Sequence, residues 1–233
     1  ARVGIATGLV MVGDMTGDMT QYIKGLKTRT DQTSGKGRLT STIIDLAAKR
    51  MIVLDHDKKE AQITDMAALA DTLAKAGATD ISFSITPTAQ TRQIAGSTCT
   101  VHDMKLAVPM AMGGTPLTMV MSGPQCLVKN GPGQAEYLAF YRAASESGGF
   151  LDATQAKTRP AAAKAMTDMY RKMAELGVPF ATEMRIGMES TGPMAEMMKK
   201  MGNTVTTEVT SVSTAAIDPA LFEIPADYKV SKR

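Results

Sequence analysis

Apolar and polar residues alternate over long stretches of this chain, and the alternation predicts strands in blocks. From Leu39 to Ile63, Thr40, Thr42, Ile44 and Leu46 alternate with polar neighbours, Ala47-Ala48-Lys49 turns the chain, and Arg50 to Leu54 returns it to a second turn at Asp55-His56-Asp57-Lys58. Met51, Ile52, Val53 and Leu54 are consecutive apolar residues, which predicts a strand covered on both faces. A helix is predicted next, capped by Thr64 or Asp65, striped by Met66, Leu69, Ala70 and Leu73 and ended by Gly77. A second meander follows, in which Ile81, Phe83 and Ile85 alternate with Ser82 and Ser84 and further strands run through Arg92 to Ala95, Thr98 to Val108 and Leu117 to Val128.

Two helices are predicted after it. One opens at Pro132 and carries Tyr137, Leu138 and Tyr141; the other opens at Pro160 and repeats Ala162, Met166, Met169, Met173 and Leu176 at helical spacing up to Gly177. From Phe180 to Glu189 the alternation is cleanest: Phe180, Thr182, Met184, Ile186 and Met188 on one face, Ala181, Glu183, Arg185, Gly187 and Glu189 on the other. A short helix is predicted over 193–201, with Met194, Met197, Met198 and Met201 opposite Glu196, Lys199 and Lys200. The chain closes with a Thr/Val-rich strand from Thr204 and a Pro-punctuated tail whose hydrophobic plug is Phe222, assisted by Leu221 or Ile224. This order of elements predicts an α+β fold, with helices packed on one face of a largely antiparallel sheet. No linker interrupts it, so residues 1–233 are expected to form a single domain.

Composition narrows the function classes. The net charge is +3 and the charges are spread, so the basic block that nucleic acid requires is missing. Apolar runs fall far short of the ~20 residues of a membrane helix. The chain opens at Ala1 without Met, which is the expectation for a mature product whose signal peptide has been removed, or for a fragment. There are 19 Met against 5 Phe, 5 Tyr and no Trp, so flexible thioethers rather than rigid rings fill much of the interior. Cys99 and Cys126 lie in neighbouring strand-like segments; a cross-strand disulfide in an oxidising compartment and a pair of reduced buried thiols both fit.

Candidate chemistry is sparse. His56 lies between Asp55 and Asp57, and His102 precedes Asp103, but neighbours in a strand point to opposite faces and clustered charges in a turn are usually solvated. Neither a nucleophile elbow, a zinc-protease helix nor a phosphate loop occurs, so no enzyme and no cofactor is expected. The repeat Gly13-Asp-Met-Thr16, Gly17-Asp-Met-Thr20 spaces Met11, Met15 and Met19 evenly; core filler in a strand that bends at its glycines is favoured over a Cu(I) site. The stripe from Met194 to Met201 reads as core packing or as a mobile lid that re-packs around ligands of different shape.

Four segments carry a resemblance: Ser41-Thr-Ile-Ile-Asp-Leu-Ala-Ala-Lys-Arg-Met-Ile-Val-Leu-Asp55, Ile94-Ala-Gly-Ser-Thr-Cys99, Glu136-Tyr-Leu-Ala-Phe-Tyr141 and Ile217-Asp-Pro-Ala-Leu-Phe-Glu-Ile-Pro-Ala-Asp-Tyr-Lys229. In order and spacing the chain resembles a family of bacterial envelope proteins of uncharacterised function, related in architecture to the periplasmic lipoprotein carrier LolA. The resemblance implies a strongly curved antiparallel sheet, an incomplete barrel whose apolar concavity is plugged by helices. It also implies export to the periplasm, which favours a disulfide between Cys99 and Cys126. The function expected is a periplasmic binding or carrier module for a lipid or acyl chain, lined by Met184, Ile186, Met188, Met194, Met197, Met198 and Met201. The alternatives are an envelope domain that contacts other proteins without a small-molecule ligand, and Met-mediated copper binding.

Overall fold

The computed structural model describes residues 3–12, 15–34, 36–66, 81–112, 115–146, 167–169, 171–172, 175–190 and 203–232, of which 3–12, 15–16, 110–112 and 115–116 are described by their backbone. The first six strands are β1 (Val3–Val12), β2 (Met15–Lys24), β3 (Lys27–Thr33), β4 (Leu39–Asp45), β5 (Arg50–Asp55) and β6 (Glu60–Asp65). The next five are β7 (Ser82–Ile94), β8 (Ser97–Met112), β9 (Thr115–Val128), β10 (Val178–Ser190) and β11 (Asn203–Ser213). Helix α1 (Gln134–Glu146) separates β9 from β10, and the chain ends in a 3-10 turn at Pro219–Phe222 and a short strand, β12 (Lys229–Lys232). All twelve strands form one sheet in the order β12-β6-β5-β4-β3-β2-β1-β11-β10-β9-β8-β7. Every neighbouring pair is antiparallel except β12 against β6.

This corrects the α+β expectation, and with it the sheet plugged by helices that the resemblance implied. The protein is β-rich, α1 is the one helix described without interruption, and β7 and β11 are not hydrogen-bonded neighbours, so no barrel closes. The reason lies in residues 3–33. Their glycines and threonines dilute the hydrophobic alternation, yet they supply three full strands, because strand pairing rewards backbone hydrogen bonds that no side-chain pattern records. Met66 is helical where the first helix was predicted, but 67–80 lies outside the described residues, as does 191–202 with the predicted Met helix. Of the helix predicted from Pro160, residues 167–169, 171–172 and 175–176 are helical.

Both faces of the β2–β6 half are covered, by different parts of the chain. Ile23, Thr28, Ile44 and Met51 are consecutive cross-strand partners and so share one face. On it, Ile23 and Ile44 join the core cluster that contains Tyr137, Phe140 and Ala144 of α1. Tyr22, Arg29, Ile43, Ile52 and Ile63 form the adjacent row, on the opposite face. There Ile43, Ile52, Leu54 and Ala61 pack with Ile217 and Phe222 of the tail. The continuous apolar run of β5 is therefore explained, with Ile52 and Leu54 fully buried against the tail and Met51 and Val53 half-buried. On β4 the fully buried apolar residue is Ile43, with Ser41 buried on the same face, rather than the Ile44 picked out by alternation, because the tail covers that face more completely.

The C-terminal tail lies along the sheet. Phe222 is 3% exposed, with Leu221, Ile224 and Tyr228 packed beside it. Asp218 caps the 3-10 turn by accepting from the Ala220 amide, and the missing amide of Pro219 costs nothing at its first position. Lys24 Nζ and Arg29 Nη1 reach the carbonyls of Ile217 and Leu221 at 3.1 and 2.7 Å. The tail then enters the sheet as β12 alongside β6.

In the other half, β7 to β11 curl until Arg92 on β7 pairs with Glu208 on β11 at 2.8 Å, across three intervening strands. Cys99 on β8 and Cys126 on β9 form a disulfide with Cα atoms 5.3 Å apart, buried in the cluster that includes α1. Gly123 belongs to the same curl: a Cβ there would strike the Glu183 carbonyl on β10, and its positive φ suits glycine alone.

Two stability outcomes follow from these contacts. Phe222→Ala should lower the free energy of unfolding by about 3 kcal/mol, read from the shift of the urea midpoint; an unchanged midpoint would show the tail undocked. Replacing Cys99 and Cys126 together by Ser should cost about 3–4 kcal/mol in the chain-entropy account, for a pair separated by 27 residues.

Candidate functional site

Three places in the molecule could do chemistry or binding, and each is built by the sheet register. The first is an apolar face at the tips of β7 to β10. Phe83, Leu106, Met121 and Ile186 are consecutive cross-strand partners on β7, β8, β9 and β10. Beside that row, Val108, Met119 and Met188 are partners on β8, β9 and β10. Partners across a ladder point to the same side, so these residues form one contiguous surface. Ile85 and Met184 extend it, on β7 and β10 at two residues' spacing. Most of these side chains are half-buried, while Ser82, Ser84, Lys105, Glu183, Arg185 and Glu189 on the reverse face are exposed. The alternation of Met184, Ile186 and Met188 against Glu183, Arg185 and Glu189 is thus present in the molecule, and it continues over three neighbouring strands that one strand's pattern cannot reveal. Met194, Met197, Met198 and Met201 lie outside the described residues.

The second place is a cavity of about 300 Å³ on that reverse face. Its floor is the partner row Val101, Cys126 and Ala181, which Glu208 continues on β11. Arg92, Glu183 and Thr206 add polar walls. Met184, Ile186 and Met188 do not line it, so the apolar face and the cavity are two different features, separated by the thickness of the sheet.

The third is a polar network under the tail. Ser41 is fully buried, and its hydroxyl donates to Asp31 Oδ1 at 2.6 Å. Arg29 donates from Nε to the same carboxylate oxygen at 2.6 Å and from Nη2 to the Ser41 oxygen at 3.0 Å. His56 Nε2 lies 2.6 Å from the Ser41 oxygen, and Nδ1 lies 2.6 Å from the Tyr228 hydroxyl. Because the single proton of Ser41 goes to Asp31, the hydrogen of the second bond must sit on Nε2; in the neutral imidazole Nδ1 then accepts from Tyr228. A serine beside a histidine at this distance resembles a nucleophile and its base, but the proton runs the wrong way. The histidine gives a hydrogen to the serine, its other nitrogen holds a tyrosine rather than an acid, and the hydroxyl has no exposure to a substrate. The cluster is a latch that holds the tail.

No sequence signal marked this latch, since its members come from β3, β4, the turn after β5 and the tail, and sequence proximity had paired His56 with other residues. Asp55 instead pairs with Arg38 and Lys58, and Asp57 is exposed. His102 is buried, with Nδ1 at 2.9 Å from the Thr100 carbonyl, and Asp103 is exposed on the other side of β8. Met11 lies on β1 while Met15 and Met19 lie on β2, so the three methionines do not share one extended run. Met11 and Met15 are cross-strand partners, while Met19 stands opposite Thr7. Gly17 sits where β2 approaches β3 so closely that a Cβ would strike the Thr33 carbonyl.

Neither a protein-family model nor a curated protein matches the chain.

Ser41→Ala should separate a structural latch from a catalytic serine. It removes one hydrogen-bond partner from each of Asp31, Arg29 and His56, so it should lower stability by about 1–3 kcal/mol, seen as a lower urea midpoint with Tyr228 more accessible to iodination. An ester-hydrolysing activity that disappears in Ser41→Ala at unchanged stability would contradict the latch.

Proposed function

We propose that this protein is a binding or carrier module for a hydrophobic ligand, an acyl chain or other lipid, working in the periplasm, and that the ligand lies along the apolar face of β7 to β10. The observation that carries the reading is the row Phe83, Leu106, Met121 and Ile186, four apolar side chains in register across four strands, with Met119, Met184 and Met188 around it. A stripe of this kind presents a length of apolar surface rather than a single hole, which suits an extended chain. Removing that surface from water would drive binding at ~25 cal/mol per Å². The thioethers re-pack at little cost, so guests of different length and saturation would be accommodated.

The buried disulfide supports the compartment, since such bonds persist where the surroundings are oxidising. The polar walls of the cavity, with Glu183 beside the Arg92–Glu208 ion pair, argue against it as the place for an acyl chain, because an apolar guest would take these charged groups out of water without giving them a new partner.

Uptake of a fluorescent fatty acid tests the proposal. The parent protein should take it up, and Met184→Glu or Met188→Glu should abolish uptake while the cooperative unfolding transition persists, since each replaces a half-buried residue by a charge without a partner. A parent protein that takes up no lipid, with the same substitutions causing global unfolding, would mean that this face is ordinary packed core and would end the carrier reading. Native mass spectrometry of protein taken from periplasm, with lipid extraction, would identify the guest.

A further inference from the structure

The sheet has two edges, and they differ in kind. One is β12, four residues long, exposed throughout and carrying Lys229 and Lys232, which is how proteins keep an edge from pairing with another chain. The other is β7. Its C-terminal part is engaged: the register shifts between Pro87 and Thr91, and beyond the shift Arg92 is held by Glu208 of β11. The N-terminal part, Ser82 to Thr86, pairs with β8 on one side and with no described residue on the other. Ser82, Ser84 and Thr86 are exposed, and Phe83 and Ile85 are half-buried. From Ile81 through Thr91 the chain has no charged residue. An extended, uncharged, β-prone edge is a template for a further strand.

We propose that Ser82 to Thr86 pairs antiparallel with the same segment of a second copy of this chain, about a two-fold axis at Ser84. The segment is self-complementary in that register. Phe83 comes opposite Ile85 of the second copy on one face, an aromatic and β-branched pair of the kind that stabilises sheets, and the axis makes it occur twice. On the other face Ser82 comes opposite Thr86 of the second copy and Ser84 opposite its own mate, so no like charges meet. Both copies carry a net charge of +3, and this neutral strip is where they approach each other at least electrostatic cost. A symmetric pair of this kind is isologous and closes on itself, which uses up the edge instead of leaving it to grow a fibre. Because Phe83 begins the row that continues through Leu106 and Met121, the apolar face would pass without a break from one copy to the other. A five-residue contact is short, so the dimer is reversible and depends on concentration.

Sedimentation velocity reads this directly, and independently of any ligand. The parent protein should shift from monomer to dimer as its concentration is raised to about 100 μM. Ser84→Lys and Ser84→Glu each place like charges across the axis, and each should stay monomeric over the same range. An equimolar mixture of the two should recover the dimer, because opposite charges then face each other. The position is exposed, so both variants should melt as the parent does. A parent that stays monomeric, a variant that dimerises like the parent, or a mixture that stays monomeric would each overturn the proposal.

Discussion

The pairing of β1 with β11 is the constraint on which the rest of the molecule depends. From Gly4 opposite Ser213 to Val12 opposite Thr204, it joins the first described strand to the last long one. Most other antiparallel neighbours are consecutive strands, and β9 and β10 are separated by α1. Without β1–β11 the chain would hold two smaller sheets, one of β1 to β6 with β12 and one of β7 to β11, each with an additional exposed edge. The contact closes almost the whole length of the chain, so its entropic cost is met only once the local hairpins have formed. The parallel pairing of β12 with β6 is the other long closure, and it follows once β11 has been placed, because the tail leaves from the end of that strand.

Joining the halves puts different demands on their faces. In the β2–β6 half each face has its own cover, α1 on one and the tail on the other. In the β7–β11 half the strands curl, with a reverse face that holds the cavity and an obverse face that carries the apolar stripe. Both features sit at fixed register positions, and the side chains alternate between them along β10: Ala181 and Glu183 toward the cavity, Met184 and Ile186 toward the stripe. A one-residue slip would exchange the two. The register shift between Pro179 and Ala181 falls just before β10 meets the disulfide, where Ala181 stands opposite Cys126.

The tail is held by two kinds of interaction with different consequences. Phe222 and its neighbours supply apolar burial, which is strong but tolerant of small shifts in position. Arg29, Ser41, His56 and Tyr228 supply directed bonds, which fix the position. Every member of that network needs the others, because a buried hydroxyl or guanidinium left without a partner is costly. The arrangement explains why a histidine between two aspartates serves a structural end. Its ring faces the serine and the tyrosine, while Asp55 turns to Arg38.

Much of the local structure was legible in the sequence. The turns at Ala47-Ala48-Lys49 and at Asp55 to Lys58, the strands of β4 to β6 and β7 to β9, the helix carrying Tyr137, the alternation of β10 and the Phe222 plug all follow from patterns within a few residues, since strand and helix periods and turn chemistry are local properties. Three things were decided only by tertiary structure. The β-rich class depends on residues 3–33, whose strand character comes from partners rather than from their own pattern. The Ser41–His56–Tyr228 latch and the Arg92–Glu208 pair depend on side chains brought together across 172 and 116 positions of sequence. The stripe through Phe83, Leu106, Met121 and Ile186 depends on register, which no single strand specifies: alternation gives each strand an apolar side, and only pairing decides which apolar residues stand next to one another.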